Sequence, residues 1–358
     1  MSTDVPIAAT APATTTATAD FHFRVSGYRG FEADILRLRN ANREVSQSQA
    51  YLDWRYGTSA NAPQAQVYWL DDPAGVPAGM AAVIARPYWF DGKGASVGVL
   101  GDISLDASRR GKGLGRLLLA SMTAHCDKEH PERMQFVIPT EAAQRTLESI
   151  GWRVGGKLIQ HVMLLDPREK LDERFGNAAL SSAVGKIYKV LLRTMLWLKT
   201  SREFSLQLDT QFDESFERFW REFPKRGVCL ADRSVATLRW RYAGHPHHEF
   251  KVASLVGRGG LAGYLVYERH GDEWSIYDVL AQSRPHLNRM LALFVRQALA
   301  EGLASIRVTL NDRHPYRPVF RWMGFASRES VLFLLHGASP PQPNSPLTWV
   351  LTQGDKDI

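Results

Sequence analysis

The chain has 358 residues, 44% hydrophobic and 23% charged, a composition that excludes bulk disorder and supplies cores for about two domains. Two cysteines, Cys126 and Cys229, exclude a disulfide framework or a four-cysteine metal site and point to a reducing, cytoplasmic compartment, and no apolar run is long enough to span a membrane. The excess of 44 Lys+Arg over 37 Asp+Glu, +7 in all, suits an acidic partner such as a phosphorylated cofactor, an acidic carrier protein, RNA or anionic lipid. A solvated basic face gives the same balance, so nucleic acid is not predicted as a partner.

Residues 1–20 are Ala/Thr-rich, with Asp4 and Asp20 as their only charges. They lack the positive start and apolar run of a secretory signal and read as a disordered tail. Strands are then predicted at Gln66–Leu70, Met80–Ile84 and Ser96–Leu105, bounded by Pro and Gly breakers. Leu114, Leu117, Leu118, Met122 and Cys126 recur at helical spacing, followed by a strand at Met134–Ile138 and a helix at Glu141–Ile150. Leu180 to Arg202 reads as a basic amphipathic helix. It carries Lys186, Lys189, Arg193, Lys199 and Arg202 without an acidic residue, and sets Val184, Ile187, Tyr188, Leu191, Met195 and Leu198 on one face. Such a helix is either a connector packed across two domains or a contact for a membrane surface or a carrier protein. Further strands are predicted at Ser275–Ala281, Ser305–Leu310 and Val331–Leu335, with a helix at Leu287–Leu299. A Pro-rich connector from Gly337 leads to Leu347–Ile358, where Trp349 and Val350 are apolar enough to dock back.

The sequence repeats itself. Leu52-Asp53-Trp54-Arg55-Tyr56 returns as Leu238-Arg239-Trp240-Arg241-Tyr242, Ala78-Gly79-Met80 as Ala262-Gly263-Tyr264, Gly101-Asp102-Ile103 as Tyr277-Asp278-Val279, and Ile150-Gly151-Trp152 as Met323-Gly324-Phe325. Four landmarks in the same order predict two copies of one α/β domain, at 21–165 and 205–337. The helix lies in a 166–204 linker, and residues 338–358 form a C-terminal tail.

One loop carries chemistry. After the strand ending at Leu105 the chain runs Arg109-Arg110-Gly111-Lys112-Gly113-Leu114-Gly115-Arg116 into a helix. Alternating glycines let the backbone turn tightly and bring free N–H groups and a helix N-terminus against an anion. Arg109, Arg110, Lys112 and Arg116 surround it with positive charge, so a pyrophosphate is the guest that fits. The spacing matches neither the dinucleotide fingerprint nor a Walker A loop.

The arrangement Arg-x-x-Gly-x-Gly between a strand and an amphipathic helix resembles the acyl-CoA loop of the GNAT acyltransferase superfamily, and Ser149-Ile150-Gly151-Trp152 resembles that family's closing Gly-aromatic step. The resemblance implies two GNAT folds in tandem, each a mixed, mostly antiparallel sheet flanked by helices. It implies acetyl-CoA or another acyl-CoA held by Arg110, Gly111, Lys112, Gly113, Leu114 and Gly115, with the pantetheine pairing along Ile103 and Leu105. A small-molecule or other primary amine would attack the thioester directly. Asp102 is the candidate base. Because Asp278 recurs in the second copy, a carboxylate that serves a neighbouring Arg is the competing reading. The tyrosine that protonates the thiolate in many members is replaced by Leu147, and by Phe320 in the second copy, and the family's asparagine by Thr140. His125 or Cys126 could serve instead.

The second copy has Gln282-Ser283-Arg284-Pro285-His286 in place of the glycine loop; it lacks glycine, and Pro285 removes an amide. It is expected to keep the fold without binding CoA. The repeated Trp-Arg-Tyr is expected to be a packing element with Arg on local carbonyls, and His245-Pro246-His247-His248 a solvated loop rather than a metal site. Three alternatives stay open: a long-chain N-acyltransferase fed by an acyl-carrier protein at the basic helix, an aminoacyl-tRNA-reading relative, and a non-catalytic CoA-binding module.

Overall fold

The computed structural model describes residues 20–57, 65–198, 203–337 and 347–356. Most of the predicted N-terminal tail, the Pro-rich connector, and Lys199 and Arg202 of the basic segment lie outside the described residues. The first half comprises β1 (His22–Ser26), α1 (Glu32–Asn40), α2 (Gln49–Tyr56), β2 (Gln66–Asp71), β3 (Pro77–Phe90), β4 (Lys93–Leu105), α3 (Leu114–Glu129), β5 (Met134–Val137), α4 (Glu141–Ser149) and β6 (Arg153–Leu164). A helical hairpin follows, α5 (Arg168–Phe175) and α6 (Ala178–Leu198). The second half comprises β7 (Phe204–Gln207), α7 (Glu214–Glu222), β8 (Val228–Ala231), α8 (Val235–Leu238) with a π-helical extension Arg239–Ala243, β9 (Lys251–Gly257), β10 (Gly260–His270), β11 (Glu273–Ala281), α9 (Arg284–Ala300), β12 (Ser305–Asn311), α10 (Arg317–Met323), β13 (Ala326–His336) and β14 (Thr348–Val350).

All the strands join one mixed sheet in the order β1-β2-β3-β4-β5-β13-β6-β12-β11-β10-β9-β7, with β8 and β14 attached at the end of β3. Most neighbours are antiparallel, but β4 pairs parallel with β5, and β11 with β12. The two copies share this sheet by exchanging their last strands. β13 inserts beside β5 of the first copy, β6 lies beside β12 of the second, and the two exchanged strands pair antiparallel with each other. Helices flank both faces. Leu118, Leu119 and Met122 of α3 close a core over one face of the first copy, and Ile35, Leu38, Leu52 and Tyr56 of α1 and α2 close one over the other. In the second copy α9 supplies Leu287, Phe294 and Val295, and α7 supplies Phe216, Phe219 and Trp220.

The Gly-aromatic landmarks are helix stops. Gly151 and Gly324 take φ +97° and +107°, left-handed values that suit glycine. The following amides, of Trp152 and Phe325, reach back to the carbonyls of Leu147 and Phe320 at 3.1 and 3.0 Å. This is the same wound-back helix end in both copies. It explains why Leu147 and Phe320 are fully buried packing residues.

The C-terminal piece docks back. β14 pairs parallel with β8, and beyond it Leu351 exchanges hydrogen bonds with Asn311, its N–H donating to the side chain (2.9 Å) and its carbonyl accepting from the backbone amide (3.2 Å). The helix α6 packs on α9 through Leu192 and Leu196, with Tyr188 donating its hydroxyl to the Leu164 carbonyl (2.7 Å). Of the apolar face anticipated for it, Tyr188 and Met195 pack inward, whereas Val184, Ile187 and Leu191 face solvent.

Candidate functional site

The glycine loop is built by the end of β4 and the start of α3. Asp106 stops the strand and caps a short turn, accepting from Ser108 N–H at 3.0 Å. That hydrogen bond, with the one from the Ser108 hydroxyl, holds the Asp106 carboxyl below its ordinary range. Gly111 and Gly113 both take φ +77°, and Gly113 is the left-handed residue that opens α3. Residues 110–113 are exposed at the head of the 16-residue helix, whose first-turn amides have no partner within the helix. A Cβ at Gly115 would stand 3.2 Å from Leu105, which fixes how closely helix and strand approach. This cradle fits the pyrophosphate that the spacing predicted.

The charges around it divide. Arg109 is committed to Asp72 at 3.0 Å, and Arg116 donates to Ser149 at 2.9 Å. Arg110 is held by Asn42, whose side-chain amide also donates to the carbonyls of Leu38 (2.7 Å) and Leu105 (3.1 Å). Asn42 therefore ties α1 to the end of β4 and to the loop, a positioning role with no repeat or motif to mark it. Arg110 and the exposed Lys112 remain the charges best placed for a phosphate.

Beyond the loop the sheet opens. β4 and β5 pair only at Val97–Val99 with Met134–Phe136, so among the described residues Gly101–Leu105 has no strand on that side. This is where Ile103 and Leu105 were expected to meet an extended ligand backbone. Here β4 also bulges: Met80 is opposite Ser104 and Ala82 opposite Gly101, leaving Asp102 and Ile103 against Ala81 alone. Asp102 takes the strained φ of +53°.

The bulge turns Asp102 into the protein rather than toward the opening. Its carboxylate is fully buried and meets Arg55 (2.5 Å), Arg39 and Arg43 (2.8 Å), and accepts from the Tyr56 hydroxyl at 2.5 Å. Burial alone would push the carboxyl up. The guanidiniums of Arg55, Arg39 and Arg43 outweigh it and, with the Tyr56 hydrogen bond, hold it well below the usual carboxylate range. A carboxylate held this way does not take a proton near neutral pH, so the geometry speaks for the Arg-serving reading over the base.

The second copy repeats the device with different partners. Arg233 approaches Asp278 at 2.7 Å without an aligned hydrogen bond, grips Asp355 at 2.8 Å, and Arg241 lies 3.3 Å from Asp355. Thus Arg55 and Arg241 of the repeated Trp-Arg-Tyr reach buried carboxylates, partners beyond the local carbonyls that were expected. Asp355 comes from the C-terminal segment. That segment bridges Leu310 with Thr352 and lies against Tyr277 of β11. It therefore fills the gap between β11 and β12 that matches the open notch of the first copy. With Ser283 capping α9 and Pro285 in its first turn, the second copy has neither cradle nor notch.

The other anticipated groups lie elsewhere. Thr140 caps α4. Cys126 is buried with its thiol against the Tyr68 hydroxyl (3.3 Å), and burial raises its pKa. His125 packs beside Phe23 and Tyr68 of β1 and β2, across β3 from the notch. The histidine cluster is a loop that is solvated only in part: Pro246 and His247 are exposed, but His245 is not. His245 is buried edge-on against Trp54 (4.2 Å) and accepts from the amides of His247 and His248, while His248 meets Glu268 at 2.9 Å. Among the described residues no group of three or more His, Cys, Asp or Glu is placed to hold a metal.

Residues 33–152 match the model of the acetyltransferase (GNAT) family. No curated protein matches significantly. Among solved structures, a probable N-acyltransferase from Enterococcus faecalis aligns at TM-score 0.62 and 11% identity, over 88% of this chain and 72% of that one. A tandem GNAT protein from the clavulanic acid biosynthesis pathway aligns at TM-score 0.53 and 14% identity, over 90% of this chain and 100% of that one. The N-myristoyltransferase of Saccharomyces cerevisiae, solved with myristoyl-CoA, aligns at TM-score 0.53 and 9% identity, over 92% and 86%. At these identities the likeness is one of fold: two GNAT folds in tandem, the first of which carries the family match.

Proposed function

We propose that this tandem GNAT protein is an acyl-CoA-dependent N-acyltransferase whose first copy binds the thioester and whose second copy is a structural partner. The observation that carries this reading is the continuity of cradle and notch: left-handed Gly111 and Gly113 at the head of α3, leading directly into the unpaired edge Gly101–Leu105. The bound acyl-CoA would supply the activated acyl group, which passes to a primary amine as the C–N bond forms and the C–S bond breaks. Arg110, Lys112 and the amides of Gly111 to Gly115 would hold the phosphates, and the β4 edge would align the extended arm. Since Asp102 is buried and Leu147 lies in the core, catalysis rests on alignment, with the proton released by the amine passing through water to the departing sulfur.

Calorimetric titration of acetyl-CoA and a long-chain acyl-CoA into the wild type and Gly113→Glu tests the site. Binding to the wild type that is lost in the variant supports it. No binding of either thioester to the wild type would overturn it, and binding without turnover on an amine panel would reduce the protein to a CoA-binding module.

A long-chain acyl group and a lipid surface are favoured by α6. Leu180, Val184, Ile187 and Leu191 fall at helical spacing on one exposed stripe, at 41–64% exposure, and Val190 beside them is 61% exposed. Lys186 and Arg193 flank the stripe, and the helix has no acidic residue. An apolar stripe with a purely basic border matches an anionic membrane interface, whereas a carrier protein would call on the basic border alone. No helix among the described residues is long and apolar enough to cross a membrane, so this contact lies in the plane of the surface.

A further inference from the structure

The second copy, without a cradle of its own, holds a different cavity. It lies at the start of α10, has a volume of about 570 Å³, and is lined by Arg313, Arg317 and Arg321 with Asp312, His314 and Trp322. Arg317 and Arg321 stand one helical turn apart on α10, a spacing that puts side chains side by side, and Arg313 reaches the cavity from the turn before the helix. Many arginines of this protein sit on carboxylates, as Arg24 does on Asp71 and Arg307 on Glu273. Among the described residues none of these three is ion-paired, and the Asp312 carboxylate, although it lines the same cavity, is not within ion-pair reach of them. Arg317 donates to the Asp312 carbonyl at 2.9 Å, and its Nε is buried without a partner.

His314 lines the same cavity. It is only 2% exposed, and its Nδ1 accepts from the Tyr316 amide at 3.1 Å, which places the ring proton on Nε2. That Nε2 is buried and has no partner. Burial holds this imidazole neutral, far below its ordinary pKa, so it adds no charge to the wall. The wall thus presents three guanidiniums, with a formal charge of +2 after Asp312.

We propose that this cavity binds the dianionic phosphate of a phosphate monoester, with its organic part against the exposed ring of Trp322. A carboxylate brings one charge and two oxygens to three guanidiniums. A phosphate monoester brings two charges and three terminal oxygens, and guanidinium forks suit it. The site is separate from the glycine loop and does not rest on the acyltransferase reading.

The test uses the full chain carrying Gly113→Glu, so that the glycine loop cannot hold the probe, titrated with inorganic phosphate and with phenyl phosphate. Both are expected to bind, phenyl phosphate the more tightly. Arg317→Gln with Arg321→Gln should weaken both by roughly a hundredfold, about tenfold for each charged hydrogen-bonding partner, and Trp322→Ala should narrow the gap between the two probes. If the double variant does not fold, exposed Arg313→Gln serves in its place, with a loss of about tenfold expected. Absence of phosphate binding to Gly113→Glu, or binding unmoved by the arginine substitutions, would overturn the proposal. In a chain with the native loop, the arginine variants should leave acyl-CoA affinity unchanged, so the two sites succeed or fail separately.

Discussion

Trp54 and Trp240, equivalent residues 186 positions apart, stack on one another with ring centroids 5.3 Å apart and planes 13° from parallel. Each indole N–H donates to the other's backbone carbonyl, at 2.7 and 2.9 Å. The contact is reciprocal, as expected at an approximate two-fold axis relating the two copies. It lies where α2 meets its counterpart, and the exchanged strands β6 and β13 repeat the same symmetry within the sheet. Trp54→Ala should destabilise the chain by about 3 kcal/mol through lost stacking and an unpaired carbonyl. A double-mutant cycle with Trp240→Ala should give a coupling of about 1 kcal/mol or more, read by urea denaturation. Additive losses would mean that the two rings only happen to touch.

The second prediction separates a structural Asp102 from a catalytic one. Asp102→Asn leaves Arg39 and Arg55 buried against a neutral amide, and the expected cost is about 3–5 kcal/mol of stability. Because the folded pKa is depressed, the carboxylate's contribution is complete above its unfolded value near 4. It is lost as pH falls below that value, so the variant should show a weaker acid-induced loss than the wild type. Turnover per folded molecule should stay within a few-fold. A protein as stable as wild type that has lost turnover would instead make Asp102 the base.

Much of this was legible in local pattern and much was not, for a physical reason. The glycine loop, α3, β5 and the closing Gly-aromatic step depend on φ preferences and on periods of 2 and 3.6 residues, which neighbours in sequence set. The repeat marked Asp102, Arg55 and Trp54 as special without saying that they touch. Arg39 and Arg43 carry no such mark, because they reach Asp102 only through the bulge in β4. The strand exchange was invisible for the same reason: Ala326–His336 reads as a strand whichever sheet half it joins. His245 looked solvated with its neighbours because polar spelling hides burial imposed by Trp54 of the other copy.

Two buried histidines should shape stability in mild acid. His161 is fully buried beside Ser327, and burial, with Arg317 and Arg321, lowers its pKa to about 4; His314 falls to about 3. Below the unfolded value near 6.5 the unfolded chain takes up protons that the folded chain refuses, so stability falls as pH falls, by up to about 1.4 kcal/mol per pH unit for each. His161→Gln should therefore shrink the loss between pH 7 and pH 5 by about 2 kcal/mol at most, measured as the change in urea midpoint. An undiminished loss in that variant would show that the slope comes from other groups.

The exposed stripe of α6 predicts lipid binding that is electrostatic and hydrophobic at once. The wild type should float with vesicles containing anionic lipid and stay behind with neutral ones. Ile187→Glu with Leu191→Glu should abolish flotation without lowering the melting temperature, because both side chains are solvent-exposed. Flotation that survives the pair of glutamates would place the lipid contact elsewhere on the protein.

The C-terminal segment should prove to be part of the second copy's core rather than a tail. Asp355 is fully buried, and although burial pushes its carboxyl up, Arg233 and Arg241 hold it down, while Asp278 is raised by burial and by Asp355. Asp355→Ala removes the counter-charge of two buried guanidiniums, with a loss of about 3–5 kcal/mol expected. Ending the chain at residue 346 should cost more, because it also strips β14 from β8 and frees the amide and side chain of Asn311. The comparison that matters is between these variants and a chain that retains Asp355 but carries Leu351→Ala, where only packing is lost, at about 2–5 kcal/mol. If the truncated chain unfolds at the same denaturant concentration as the wild type, the segment is an appendage.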